Sequence, residues 1–170
     1  MTDQIKQVVK EVSNALKEFN LTLATAESCT GGGLAYWLTA FPGSSTCFER
    51  GFVTYSDEAK CEMLAVSPLT LESFGAVSAE TAREMAEGAI DNSKADLSIA
   101  VTGLAGPDGG TAEKPVGLVW IAIAERDFST EVIENFFTGT REEIRNQTIV
   151  TALSKLLEIL MMKAKKMPTF

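Results

Sequence analysis

Apolar residues recur along this chain in two periods, and the switches between them mark out the elements. Ile5, Val8, Val9, Val12, Leu16 and Phe19 fall at helical spacing, which predicts an amphipathic helix over 3–19. A short run of β-forming residues predicts a strand over 21–25. The polar pair Glu27 and Ser28 follows. Residues 30–41 then read as a helix with a small-residue start, stopped by Pro42 and Gly43. Phe48, Phe52 and Val53 predict a second strand over 48–55. Ser56 with Asp57 and Glu58 supplies a helix cap and an acidic first turn. Ser67-Pro68 opens another helix with proline at its first position. Ser78 caps a third, in which Ala79, Ala82, Met85, Ala86, Ala89 and Ile90 form one stripe.

A strand predicted over 97–101 runs into the glycine-rich loop 102–110. Residues 117–124 are almost continuously apolar, as in a strand buried on both faces. Residues 130–137 read as its antiparallel neighbour across Arg126-Asp127. Thr140 and Glu143 spell a capping box. They open a long helix with Ile144, Ile149, Leu153, Leu156, Leu157 and Leu160 on its core side. No repeat, low-complexity stretch or linker divides the chain, and 170 residues fit one domain, 1–170. The order of elements predicts the α/β class, with one mixed sheet between helical layers.

Composition narrows the function. The hydrophobic fraction of 45% and charged fraction of 22% are those of a globular protein, and no apolar run approaches the ~18 residues of a membrane span. The polar N-terminus does not read as a signal peptide, so a cytoplasmic location is expected. Fifteen basic against 23 acidic residues give a net charge of −8. That leaves no broad positive surface for a nucleic-acid backbone, although a few local donors suffice for a small anion. Cys29, Cys47 and Cys61 include no C-x-x-C pair, so they read as buried reduced thiols rather than metal ligands. Histidine is absent, which removes the Ser-His-Asp triad, the Cys-His dyad and most catalytic zinc sites. A hydrolase built on this chain needs lysine, tyrosine or a carboxylate as its base.

The strongest local feature is the strand-to-helix passage Glu27-Ser28-Cys29-Thr30-Gly31-Gly32. In α/β proteins ligands collect beyond the carboxyl ends of strands, and N–H groups at a helix start suit an anion or oxyanion. Taken alone, Ser28 reads equally well as a helix cap. Neither glycine-rich stretch carries the Gly-Lys-Ser/Thr of a phosphate loop, so ATPase chemistry finds no support. Tyr55 and Lys60 flank the second strand-to-helix passage, and Lys60 lies one helical turn past Ser56, able to fold back over the cleft. By frequency alone it reads as a solvated lysine. Arg141 and Arg145 share one face at the last helix start and suit a phosphate monoester, or else surface ion pairs. Ser44 and Ser45 add hydroxyls to the Pro42-Gly43 turn.

Taken in order, Ala26 to Gly32, Pro42 to Ser45, Val53 to Ser56 with Lys60, Gly75 to Ser78, Thr102 to Pro107, Lys114 to Gly117 and Arg141 to Arg145 closely resemble the CinA C-terminal domain family, the nicotinamide-nucleotide amidohydrolases. The likeness is collinear over roughly residues 5 to 160. It implies a three-layer α/β/α sandwich around one mixed, mainly parallel sheet, in a stand-alone form. It implies hydrolysis of the carboxamide of nicotinamide mononucleotide, a phosphorylated pyridine nucleotide, without metal or cofactor, and a homodimer. Ser28, Tyr55 and Lys60 are then the expected catalytic residues. Thr30, Gly31, Gly32, Ser44, Ser45, Thr102, Gly103, Gly106, Arg141 and Arg145 are the expected substrate-binding ones, with the N–H groups of 30–32 as the oxyanion donors. Two positions depart from the family pattern: Arg50 stands where a small residue is usual, and Thr140 where Asp is frequent. A non-catalytic nucleotide-binding module and an amidase for another small amide are the competing readings.

Overall fold

The computed structural model describes residues 1–166. In chain order the elements are α1 (Thr2–Glu18), β1 (Leu23–Glu27), α2 (Gly33–Leu38), a 3-10 turn (Ser44–Thr46), β2 (Phe48–Val53), α3 (Asp57–Leu64), α4 (Pro68–Phe74), α5 (Ala79–Asp91), β3 (Leu97–Gly103), β4 (Leu118–Glu125), β5 (Glu131–Phe136) and α6 (Arg141–Lys166). The five strands form one sheet in the order β2-β1-β3-β4-β5. The β1 strand pairs parallel to both β2 and β3, whereas β3 with β4 and β4 with β5 are antiparallel. Only β4 therefore runs against the other strands, and the sheet is mixed, as expected.

The two faces of this sheet are filled differently, and the strand sequences dictate how. Side chains alternate along a strand. Leu23, Leu97, Ile99, Val101, Val119, Ile121 and Ile123 point to one face, where they meet Val9, Val12 and Leu16 of α1 and Leu153 and Leu156 of α6. The intervening Ala24, Ala26, Ala100, Ala122 and Ala124 point to the other and meet Ala82, Met85, Ala86 and Ala89 of α5. Bulky aliphatics thus support one helical layer at ordinary spacing. The alanine face lets α5 lie close to the sheet, and the result is the α/β/α sandwich.

Among the boundaries that differ from the sequence prediction, three around the first strand and the turn after it have a clear local reason. The first strand starts at Leu23 because Leu21 N–H still closes α1 on Leu16 O (2.8 Å) and Asn20 turns the chain at φ 53°. It runs on to Glu27 because that residue pairs with both neighbours, Val53 and Val101. The helix expected over 30–41 is confined to Gly33–Leu38, since Gly31 and Gly32 take φ of 57° and 94°, which breaks the helical path.

The predicted caps are present. Ser56 Oγ accepts from Ala59 N–H and Ser78 Oγ from Thr81 N–H. At α6, Thr140 N–H donates to Glu143 Oε2 (2.7 Å) and Glu143 N–H to Thr140 Oγ1 (3.3 Å). From β1 the chain moves first to β2 on one side and later to β3 on the other. The carboxyl end of β1 is therefore a topological switch point, where open α/β sheets form their crevices.

Candidate active site

Ser28 follows directly on β1 and its N–H donates to Val101 O (3.0 Å), which fixes it beside β3. Only 9% of its surface is exposed. Lys60 reaches it from the first turns of α3, with Nζ 3.2 Å from Ser28 Oγ. The same nitrogen donates to Thr54 O (3.0 Å) and Tyr55 O (3.2 Å), while Ser56 O stands farther off at 3.5 Å. Lys60 is 1% exposed. Burial pushes its pKa down from the ordinary lysine value, and the Asp57 carboxylate, 4.0 Å away, opposes that in part. A neutral amine has two N–H donors and one lone pair. The ammonium form donates to the two nearest carbonyls and to Ser28 Oγ; once neutral, the amine can keep both carbonyls and turn its lone pair to the Ser28 hydroxyl proton.

The turn carrying Ser28 is held by Glu27, which ends a fully buried strand. Its Oε1 accepts from Thr30 Oγ1 (2.7 Å) and Leu34 N–H (2.8 Å), and its Oε2 from Ala35 N–H (3.0 Å). A carboxylate in such a place needs that set of donors. It also consumes two of the N–H groups at the start of α2. In the turn itself Gly31 N–H donates to Ser28 O and Gly33 N–H to Thr30 O. Cys29, the neighbouring thiol, is buried, and burial pushes its pKa up to about 12. It is thus un-ionised at neutral pH and a poor nucleophile.

Ser28 and Lys60 open into a cleft of about 220 Å³, whose walls include Tyr55, Thr102, Gly103, Gly106 and Arg141. Seven of the sequence-predicted residues thus share one cleft. Their bonding differs from simple expectation. The Thr102 hydroxyl donates to Ala76 O (2.7 Å), so it braces the cleft wall. Arg141 spans the opening, donating to Gly106 O (2.8 Å) and Tyr55 Oη (2.9 Å). The Tyr55 phenol is 60% exposed and its hydroxyl meets Arg141; the contact with Lys60 comes from the Tyr55 carbonyl.

Arg145 lies one helical turn further along α6 and donates to Thr30 O (2.8 Å), while its buried Nε has no partner among the described residues. With Arg141, Gly33 and Trp37 it lines an adjoining cavity of about 470 Å³. Thr30, Gly31 and Gly32 form the turn behind Ser28 and are not part of the cleft wall. Ser44 and Ser45 stand apart. Their turn leads into Cys47, whose carbonyl accepts from Leu23 N–H at the start of β1, a strand's length from Ser28. Arg50 is likewise remote, paired with Glu49 (2.6 Å) and bonded to Asn92 O. Sequence reasoning passed over Glu27 as a site residue, yet a lone carboxylate closing an apolar strand was the signal for it. Ala105, in the glycine-rich loop after β3, also lines the cleft.

Comparison with known proteins places this geometry in context. The family described as CinA C-terminal domain matches residues 5–160. Nicotinamide-nucleotide amidohydrolase PncC of Escherichia coli K12 is 46% identical over 157 residues, spanning 92% of this chain and 95% of the relative. A CinA-like protein of a Geobacter species is 52% identical over 146 residues, but there the match spans 86% of this chain and 35% of the relative. The chain thus spans about a third of some curated relatives and nearly all of others. Among solved structures, the competence/damage inducible protein CihA of Agrobacterium tumefaciens superposes with a TM-score of 0.90 at 45% identity, covering 92% of this chain and 95% of that one.

Proposed function

The chain belongs to the CinA C-terminal domain family, and from that premise we propose that it hydrolyses the carboxamide of nicotinamide mononucleotide to nicotinate mononucleotide and ammonia. The observation that carries this reading is the buried Lys60 amine, 3.2 Å from Ser28 Oγ with its pKa lowered by burial. Ser28 Oγ adds to the amide carbon, the C=O electrons move onto oxygen, and Lys60 takes the hydroxyl proton. The resulting ammonium returns that proton to the departing nitrogen, which leaves as ammonia and an acyl-serine ester. Water then adds to the ester, Lys60 again acting as base, and nicotinate mononucleotide departs as Ser28 is restored. Tyr55 orients Lys60 through its carbonyl and Arg141 through its phenol. The positive pyridinium ring further favours neutral Lys60, because like charges disfavour the ammonium form.

The phosphate goes to Arg141 and Arg145. Arg141 borders both the cleft of Ser28 and the adjoining cavity, so a ligand with its carboxamide on Ser28 can extend toward both guanidinium groups. The 46% identity to the nicotinamide-nucleotide amidohydrolase PncC of Escherichia coli supports the same substrate class. Among the described residues no helix is long and apolar enough to cross a membrane. We place the activity in the cytoplasm, in pyridine-nucleotide salvage and in a homodimer, with no nucleic-acid partner; the net charge of −8 supports the last point, and sedimentation equilibrium tests the dimer. The activity test is ammonia release from nicotinamide mononucleotide, nicotinamide riboside, nicotinamide and glutamine. The mononucleotide should be turned over with by far the highest kcat/KM. Release from glutamine alone, or from none of the four, would overturn the assignment.

A further inference from the structure

We propose that the main-chain N–H groups of Ala105 and Gly106, in the loop after β3, hold the oxyanion formed when Ser28 attacks. The proposal rests on the serine-hydrolase reading above and replaces the expected donors in the 30–32 turn. Buried N–H groups nearly always have an acceptor. Ala105 is 4% exposed and Gly106 is buried, yet among the described residues neither N–H meets one. Both residues line the cleft that holds Ser28 and Lys60. Cys29 is buried, lines the same cleft and has an N–H without an acceptor among the described residues, so it is the rival donor. Thr30 and Gly32 also have free N–H groups, but they lie outside that wall, and the N–H groups of Leu34 and Ala35 are spent on Glu27.

Strand order gives the direction. With β1 between β2 and β3, Ser28 has Lys60 on its β2 side and the 104–106 loop on its β3 side. An amide attacked by Ser28 with its nitrogen toward Lys60 therefore turns its oxygen toward Ala105 and Gly106. The loop is fixed before substrate arrives, as an oxyanion site requires. Leu104 N–H donates to Leu118 O (2.9 Å), Gly117 N–H to Leu104 O (2.7 Å), and Arg141 to Gly106 O (2.8 Å). Gly106 adopts φ 76° and is packed so tightly that a Cβ there would run into Val116. Substrate charge thus meets a preset pair of donors on the side away from the base.

The direct test is a crystal structure of the unaltered protein soaked with pyridine-3-boronic acid. Ser28 Oγ adds to boron and its proton passes to Lys60, giving a tetrahedral boronate that imitates the intermediate. A boronate oxygen about 2.7–3.1 Å from Ala105 N or Gly106 N supports the proposal. An oxygen held instead by the N–H of Cys29, Thr30 or Gly32, or by the Arg141 side chain, overturns it while leaving Ser28 as nucleophile. Absence of a bond to Ser28 removes the serine reading and this proposal together. In solution, Ala105→Pro deletes one donor and should lower kcat for nicotinamide mononucleotide by about 10²–10³-fold with KM little changed. A kcat within about threefold of the unaltered protein's counts against it. Because proline also restrains Leu104, the adduct structure decides between a lost donor and a shifted loop.

Discussion

A lysine acts as a base only in its neutral form, so the proton affinity of Lys60 sets the acid limb of activity. Burial lowers its pKa. Activity should therefore rise with pH through that lowered pKa and level off above it, with the midpoint below the ~10.4 of a free lysine. Below the midpoint kcat/KM should fall about tenfold per pH unit. Lys60→Arg keeps a positive group but cannot supply a neutral amine. It should cost at least about 10²-fold in kcat and abolish the limb, and stopped-time ammonia assays across pH check both. At Cys29 the expectation is the reverse. With its pKa pushed up to about 12, only roughly one thiol in 10⁵ is ionised at pH 7, so Cys29→Ala should keep kcat within a few-fold while Ser28→Ala loses it. Loss of turnover in Cys29→Ala with retention in Ser28→Ala would invert the assignment. Sequence could present Ser28 and Lys60 as candidates, but not their contact across 32 positions or the burial that turns a surface residue type into a base. Nor could it show that the hydroxyl of Tyr55, expected among the catalytic residues, is bound to Arg141, because side-chain direction at a strand end depends on what α6 brings across the cleft.

Among the elements, the predicted caps and periodicities were legible wherever a local rule governs: Ser56, Ser78, the Thr140–Glu143 box, and the stripes of α1, α5 and α6. The start of α2 was not, because two left-handed glycines and a carboxylate from the preceding strand decide it together. The placement of Ser44 and Ser45 was not either, since it follows from Cys47 joining the opposite end of β1. The close packing of α5 against the end of α3 makes a sharp prediction at Gly88. In an isolated helix Gly→Ala gains roughly 1 kcal/mol. Here a Cβ would overlap the carbonyl of Leu64, backbone that cannot yield without moving the end of α3. Gly88→Ala should therefore destabilise by about 1–3 kcal/mol, the ordinary cost of overpacking, and lower the melting temperature in a calorimetric scan. A rise in melting temperature would mean that α5 does not pack against the end of α3 as described.

At the scale of the whole molecule, the α/β class could be read from the order of elements, but the strand order could not. The hairpin of β4 and β5 is local, whereas placing β3 on the far side of β1 takes long-range pairing that no window of sequence contains. That placement makes the site: it puts β1 at the switch point, with loops from β2 and β3 on either side of Ser28, and α6 delivers Arg141 and Arg145 over the top. Because both helical layers pack on the same sheet, the described chain should unfold in one cooperative step, and a ligand bridging those loops should stabilise all of it. Ser28→Ala can bind the amide without consuming it. At about 100 times its Kd, nicotinamide mononucleotide should stabilise this variant by ~2.7 kcal/mol. For a chain of this size that corresponds to a rise of about 5–10 °C in melting temperature. Nicotinamide at the same concentration lacks the phosphate, and should raise it far less. Arg145→Ala in the same background should shrink the mononucleotide shift toward that of nicotinamide. If it instead left the full shift in place, the phosphate would have to be assigned to Arg141 or the 102–106 loop, and the reach of the substrate into the cavity beside α2 would be wrong.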